Sequence, residues 1–229
     1  MRAITAPPRV RQALAELLGS AGLVTVVIGS GIAAQRLSPH DTGIELLENA
    51  LMTGAGLVAL ILAFGPVSGA HLNPAVTLAD RAFGRVTNRQ VGVYIAAQLT
   101  GGVLGAIAAN LMYGLDAVNV SHHHRASGAL WLSEALATFG LILIIFALVR
   151  TDRADLAPFA VGAYITGAYW WSSSTSFANP MIDVARTLSD TFAGIAPASV
   201  PMFVLMQLLG AGAAVAAIAV LYPTSEQAR

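Results

Sequence analysis

Three polar landmarks, Glu, then Asn-Pro, then Gln, recur in that order in the two halves of this 229-residue chain. Ala15-Glu16-Leu-Leu-Gly-Ser-Ala-Gly22 is matched by Ser133-Glu134-Ala-Leu-Ala-Thr-Phe-Gly140. Asn73-Pro74-Ala75 is matched by Asn179-Pro180-Met181, and Gln98-Leu-Thr-Gly101 by Gln207-Leu-Leu-Gly210. A membrane-spanning helix needs roughly 20 mostly apolar residues, and six stretches qualify, at about 12–34, 44–65, 90–112, 129–149, 157–174 and 199–222. Each half of the repeat, about 10–112 and 128–222, holds three of them. Three is odd, so the second copy must lie inverted in the bilayer. Inverted repeats place a site near the midplane, where the copies meet. The expected fold is an all-α membrane protein, with residues 1–229 forming a single domain.

Composition agrees. The chain is 56% hydrophobic and 10% charged, against roughly 25% charged in an ordinary soluble domain, and its mean hydropathy is +0.70. Twelve acidic residues balance twelve basic ones, the basic ones are all Arg, and Cys is absent. A disulfide scaffold and a thiolate metal site are excluded. With no basic block and zero net charge, no nucleic-acid partner is expected; the expected partner is the lipid bilayer.

The first apolar stretch follows Arg2, Arg9 and Arg11 as a signal peptide would, but it carries Glu16, runs long and lacks a small-residue cleavage site before Gln35. It reads as a retained span. Six spans put both termini on one side, together with Arg81, Arg85, Arg89, Arg150, Arg153 and Arg229; only Arg36, Arg125 and Arg186 fall on the other. The positive-inside rule then places both termini in the cytoplasm of a multi-pass protein of the cell membrane. Gly101 and Gly105 form a GxxxG pair, suited to packing within the bundle or between copies.

Each Asn-Pro heads a segment too short to span, about 73–83 and 179–190. Asn is a strong N-cap and Pro suits the first helical position. Loop-like sequence precedes each one, Gly65 to Leu72 and Ser172 to Ala178. Two re-entrant half-helices, entering from opposite faces and meeting near the centre, are the expectation. Irregular backbone at that depth is tolerated only where it is buried or lines a wet cavity.

Ser68-Gly-Ala-His-Leu-Asn-Pro-Ala-Val-Thr77 resembles the first signature of the aquaporin (major intrinsic protein) family, and the second Asn-Pro motif with its matched Glu and Gln extends the resemblance over nearly the whole chain. The resemblance implies a homotetramer in which each chain carries its own pore, with no catalysis and no cofactor. It implies that Asn73, Pro74, Ala75, Asn179, Pro180 and Met181 form the pore motifs, with the two Asn offering N–H donors to passing oxygens beyond their capping role. Glu16 and Glu134 would brace the re-entrant loops; as intramembrane carboxylates they also suit a proton relay. Gln98 and Gln207 would be similar polar supports. The carbonyls of Gly69, Ala70, His71, Thr175, Ser176 and Phe177 would form an acceptor track.

In the family the pore narrows near its outer mouth at four positions, often aromatic residues plus an Arg. Counted from the two Asn without gaps, these are Thr53, Gly167, Ser176 and Ile182. None is aromatic, Ile182 stands where Arg is expected, and the second motif reads Asn-Pro-Met. A wide, Arg-less filter follows, suited to glycerol-like polyols, urea or neutral metalloid hydroxides such as arsenite as well as water; the alternative is a mainly water-conducting channel. Arg186, one turn beyond Ile182, either projects into the outer vestibule or anchors the half-helix through Asp183. His122, His123 and His124 form an outer-loop cluster with metal-binding or pH-sensing chemistry. No metal is called for. A secondary transporter also uses inverted repeats and broken helices. A membrane serine protease would need a nucleophile–base pair, and Ser172 to Ser176 has no base motif beside it.

Overall fold

The structure, a computed structural model, describes residues 8–223. Arg2, Arg229 and the tail 224–229 lie outside the described residues. Eight α-helices follow one another: α1 (Pro8–Leu37), α2 (Thr42–Ser68), α3 (Pro74–Ala82), α4 (Asn88–Met112), α5 (Gly128–Arg150), α6 (Ala157–Trp171), α7 (Pro180–Arg186) and α8 (Val200–Leu221). Five elements are long and apolar enough to cross a membrane: α1, α2, α4, α5, and α8 with the 3-10 turn before it. The sixth crossing is α6. At 15 residues it rises only about 22 Å, and a 3-10 turn at Ala154–Leu156 leads into it.

The inverted repeat is visible in the packing. α1 lies against α4 and α2, as α5 lies against α8 and α6. A Cβ on Gly101 or Gly105 would run into the carbonyls of Leu17 and Ala21 on α1. This GxxxG pair therefore brings two helices of one chain together, since backbones pack this closely only without side chains between them.

The half-helices α3 and α7 start at Pro74 and Pro180, directly after their capping Asn residues. Asn73 Oδ1 accepts from Ala75 N at 2.8 Å and Asn179 Oδ1 from Met181 N at 3.0 Å. Several ends differ from the sequence expectation by three or four residues: α1 runs further at both ends, α6 stops at Trp171, and α2 and α7 end elsewhere than expected. α2 does not stop at Gly65 but continues through Pro66 to Ser68, and Gly69 ends it at φ 87°. Pro66 removes one intrahelical hydrogen bond, from the Leu62 carbonyl, and leaves the rest of the turn intact. α7 ends at Arg186, short of 190, where the last turn tightens to 3-10 bonds, Thr187 N to Val184 O at 3.2 Å and Leu188 N to Ala185 O at 3.1 Å, and the chain then pairs sideways. Thr187 O accepts from Ser121 N at 2.9 Å and Leu188 O from Asn119 N at 3.0 Å, both in the α4–α5 connection.

The Asn-Pro-Met departure has a packing origin. Met181 is fully buried, and its Sδ fills the space that a Cβ on Gly102 of α4 would occupy. Ala75, its counterpart, packs instead in a cluster with Ala211 of α8. The longer side chain on one half-helix is matched by the missing one on its neighbour.

Candidate functional site

The two loops that enter the half-helices are built by buried carboxylates. Glu16 on α1 is fully buried. Its Oε1 accepts from Ser68 Oγ at 2.6 Å and His71 N at 3.0 Å, and its Oε2 from Leu72 N at 2.8 Å and Gln98 Nε2 at 2.7 Å. Glu134 on α5 repeats the set: Ser174 Oγ at 2.6 Å, Phe177 N at 2.9 Å, Ala178 N at 2.8 Å and Gln207 Nε2 at 2.6 Å. Thus each landmark Glu and Gln meets at the loop that precedes the landmark Asn. The held backbone is unusual: Ala70, Leu72, Ser176 and Ala178 all have φ between 46° and 53°. This left-handed region is costly for residues with a Cβ. It also turns successive carbonyls out of any regular ladder. Among the described residues, no protein donor reaches the carbonyls of Gly69, Ala70, His71, Thr175, Ser176 or Phe177.

The Asn residues tie the two loops to each other. Asn73 Nδ2 donates to Ala178 O at 2.8 Å, and Asn179 Nδ2 donates to Leu72 O at 2.9 Å. An amide has two N–H groups; one is used in each bond, and both Asn line a central cavity of about 490 Å³.

The cavity runs past both Asn between helical stripes of apolar residues. α1 contributes Leu23 and Val27, and α5 contributes the matching Leu141 and Ile145. α2 presents Thr53, Leu57 and Ile61, and α6 presents Val161, Ile165 and Tyr169, each at four-residue spacing. The loops and half-helices add pairs at equal offsets from their Asn: Ala70 with Ser176, Val76 with Ile182, Asp80 with Arg186. The residue seven beyond each Asn is thus charged and lines the cavity, acidic in one half and basic in the other.

Of the four narrow-region positions inferred by counting, Thr53, Ser176 and Ile182 line the cavity, whereas Gly167 does not. Gly167 is exposed on the far side of α6, two residues from Ile165 and so about 200° around the helix. Tyr169 stands there instead, its hydroxyl 3.1 Å from Thr53 Oγ1. The region therefore carries an aromatic ring, contrary to expectation. The ungapped count fails because the segment from this face of α6 to Asn179 is two residues shorter than the count assumes. Among the track residues, Gly69, Ala70, His71 and Ser176 line the cavity, while Thr175 and Phe177 do not.

Arg186 lines the cavity and is 2% exposed. Its Nε donates to Ala193 O, and its guanidinium lies 3.6 Å from the centre of the Phe177 ring. Asp183 does not pair with it. That carboxylate faces α8, where Oδ1 accepts from Gln207 Nε2 at 3.2 Å, the place Thr77 occupies beside Gln98 in the other half. At the opposite end, Asp80 is held by Arg85 Nε at 2.8 Å, with His71 Nε2 at 3.5 Å. His122 Nδ1 and His123 Nε2 lie 3.0 and 3.7 Å from Asp190. Hydrogen bonds from the His122 backbone and ring hold the Asp190 carboxyl below its ordinary pKa. The His cluster is thus a tie between two loops; among the described residues, no group of three acidic, His or Cys residues is placed to hold a metal. Trp170 and Trp171 are half exposed and line no part of the cavity.

Residues 3–172 match the model of the major intrinsic protein family. The chain belongs to that family. This major intrinsic protein is 46% identical over 206 residues to Aquaglyceroporin AqpS of Rhizobium meliloti (strain 1021), covering 90% of this chain and 88% of that one. It is 32% identical to Aquaporin NIP1-2 of Arabidopsis thaliana over 69% of its own length and 56% of the relative's. The fold is shared with the X-ray structure of the aquaglyceroporin from Plasmodium falciparum, at TM-score 0.72 and 20% identity, with 92% of this chain and 95% of that chain covered. This major intrinsic protein is accordingly a membrane channel for small solutes and not an enzyme. Two features of its cavity escaped the sequence reading. Tyr169 was legible in the four-residue stripe it shares with Val161 and Ile165, and Asp80 in its equal offset with Arg186.

Proposed function

We propose that the channel passes water together with small uncharged solutes, namely glycerol-like polyols, urea and neutral metalloid hydroxides such as arsenite, by passive diffusion. The observation that carries this reading is the central cavity, walled largely by apolar residues of four helices and lined at the loops by Asn73 and Asn179. A solute entering it exchanges hydration for the loop carbonyls as acceptors and the second N–H of each Asn as donor. The apolar walls offer no deep well, so the solute leaves as easily as it came. A cation finds no such exchange, because the N-terminal ends of both half-helices point positive partial charge at the midpoint. Glu16 and Glu134 act as braces in this reading, since each carboxylate is fully engaged in holding its loop.

The narrow region is then Thr53, Tyr169, Ser176 and Ile182, with Arg186 one turn further out. Ile182 keeps the guanidinium away from the narrowest level, which favours bulkier solutes, as does the similarity to a relative named an aquaglyceroporin. The Tyr169 ring beside Thr53 in the cavity wall favours the second reading, a mainly water-conducting pore. Both termini lie in the cytoplasm on the distribution of Arg residues, so Arg186 lies toward the outer mouth, and the working form is a homotetramer in the cell membrane. Stopped-flow light scattering on proteoliposomes under water, glycerol and urea gradients, with arsenite uptake, tests the assignment. Solute flux above that of empty vesicles is expected without any ion gradient. Water flux alone would favour the second reading, and dependence on an ion gradient would point to a secondary transporter.

A further inference from the structure

The α4–α5 connection brings a second guanidinium close to that of Arg186, although Arg125, unlike Arg186, does not itself line the cavity. Arg125 Nε donates to Gly194 O at 3.1 Å, and Arg186 Nε donates to the adjacent carbonyl, Ala193 O. Both guanidinium groups lie against the same ring: that of Arg125 is 5.1 Å and that of Arg186 3.6 Å from the centre of Phe177. The carbonyls that hold them sit in a loop fixed to the Arg125 segment by Ala196 N donating to His123 O at 2.8 Å and Arg125 N donating to Ser199 Oγ at 2.9 Å. Among the described residues, no carboxylate comes within 4.0 Å of either guanidinium. Asp183 is turned to Gln207, and Asp190 is taken by His122 and His123. Two like charges on one ring, Arg186 buried and Arg125 partly so, with no carboxylate in contact with either, repel one another and lose hydration. A packing role alone would be served better by an apolar or neutral side chain. Burial pushes the Arg125 guanidinium below its ordinary pKa, consistent with this desolvation.

We infer that Arg125, without lining the cavity itself, is a specificity-determining residue of the end that Arg186 lines, its charge adding to the field of Arg186 so that the pair on Phe177 bars cations from a pore whose narrow region carries Ile182. The inference rests on the channel reading above. It also explains why the loop between the two halves of the repeat, which has no counterpart inside either half, is tied so closely to the α7–α8 loop.

The test is cation permeability of proteoliposomes, read with a potential-sensitive dye under a potassium gradient, with glycerol flux in the same vesicles as the check on folding. Arg125→Gln is expected to raise cation leak roughly tenfold, and the double variant Arg125→Gln/Arg186→Gln to leak more than either single variant. Arg125→Lys keeps the charge and is expected to stay near wild type. An Arg125→Gln protein as cation-tight as wild type, beside a leaky Arg186→Gln, overturns the inference. So does Arg125→Lys leaking as much as Arg125→Gln, since shape and not charge would then matter. If Arg125→Gln does not fold, Arg186→Gln decides: with Arg125 still in place, it must prefer anions to cations in a salt gradient, and an unselective leak overturns the inference. Wild-type vesicles without any solute flux would sink the channel reading itself; solute flux with a cation-tight Arg125→Gln would sink only this step.

Discussion

Glu16 and Glu134 show what one buried side chain does in a membrane interior. Each accepts from two backbone N–H groups, a Ser hydroxyl and a Gln amide. These loops have no ladder to satisfy their N–H groups and no bulk lipid-phase water to replace one. The left-handed residues beside them cost about 1–2 kcal/mol each, and charge-assisted bonds of about 1.5–3 kcal/mol offset that. Truncating one carboxylate leaves its donors buried and unpaired, at about 1–3 kcal/mol per group. Glu134→Ala is therefore expected to lose more than about 3 kcal/mol in an SDS-unfolding titration. Glu134→Gln, which keeps one acceptor oxygen, should lose less. The motif Asn residues were legible in sequence, and so were their Glu partners, because order and spacing repeat. Which donors each oxygen receives was not legible, since Ser68 and Ser174 look like ordinary loop serines until the chain folds back.

At the level of helices, side-chain absence decides where the bundle closes. On α8, Gly210 and Gly212 are two residues apart and look alike in sequence. A Cβ on Gly210 would strike the Ala135 carbonyl of α5, whereas a Cβ on Gly212 meets nothing within 4 Å. Gly210→Ala must push α8 from α5, and overpacking of this kind costs about 1–3 kcal/mol. Gly212→Ala gains helix propensity, up to about 1 kcal/mol. The thermal midpoint in detergent is expected to fall for the first variant and to hold or rise for the second. Helix existence was legible from apolar runs, within a few residues at most ends. Two of the ends that differed, Ser68 and Arg186, were set by tertiary partners. A proline inside a helix was tolerated at Pro66, and the carbonyls of Thr187 and Leu188 were drawn off by the α4–α5 connection.

Across the whole molecule, the inverted repeat makes a passage with two similar ends and different charges. The positions three beyond each Asn are both β-branched and apolar, Val76 and Ile182, and those seven beyond are Asp80 and Arg186. Asp80 is neutralised by Arg85; Arg186 has no carboxylate partner among the described residues. The positive end of the passage is thus the outer one under the proposed orientation. Under the proposed function, Tyr169 sets its width. Replacing it with Ala removes the ring that meets Thr53, and permeability to glycerol and urea should rise several-fold relative to water in stopped-flow measurements. An unchanged ratio would mean that the narrowest level lies elsewhere.

The sequence by itself determined the membrane, the six crossings, the inversion and the polar landmarks, because apolar run length, the odd number of spans and the repeated order of Glu, Asn-Pro and Gln are local or periodic facts. Only the tertiary structure decided which residues surround the passage. Tyr169 replaces Gly167 because a helix turns by about 100° per residue, so a count off by two moves a side chain to the opposite face. Asp183 and Arg186 share one short helix yet do not pair, since Gln207 and the loop carbonyl at Ala193 lie on different sides of it. Where a side chain points depends on what packs around it, and in this chain those neighbours come from the other half.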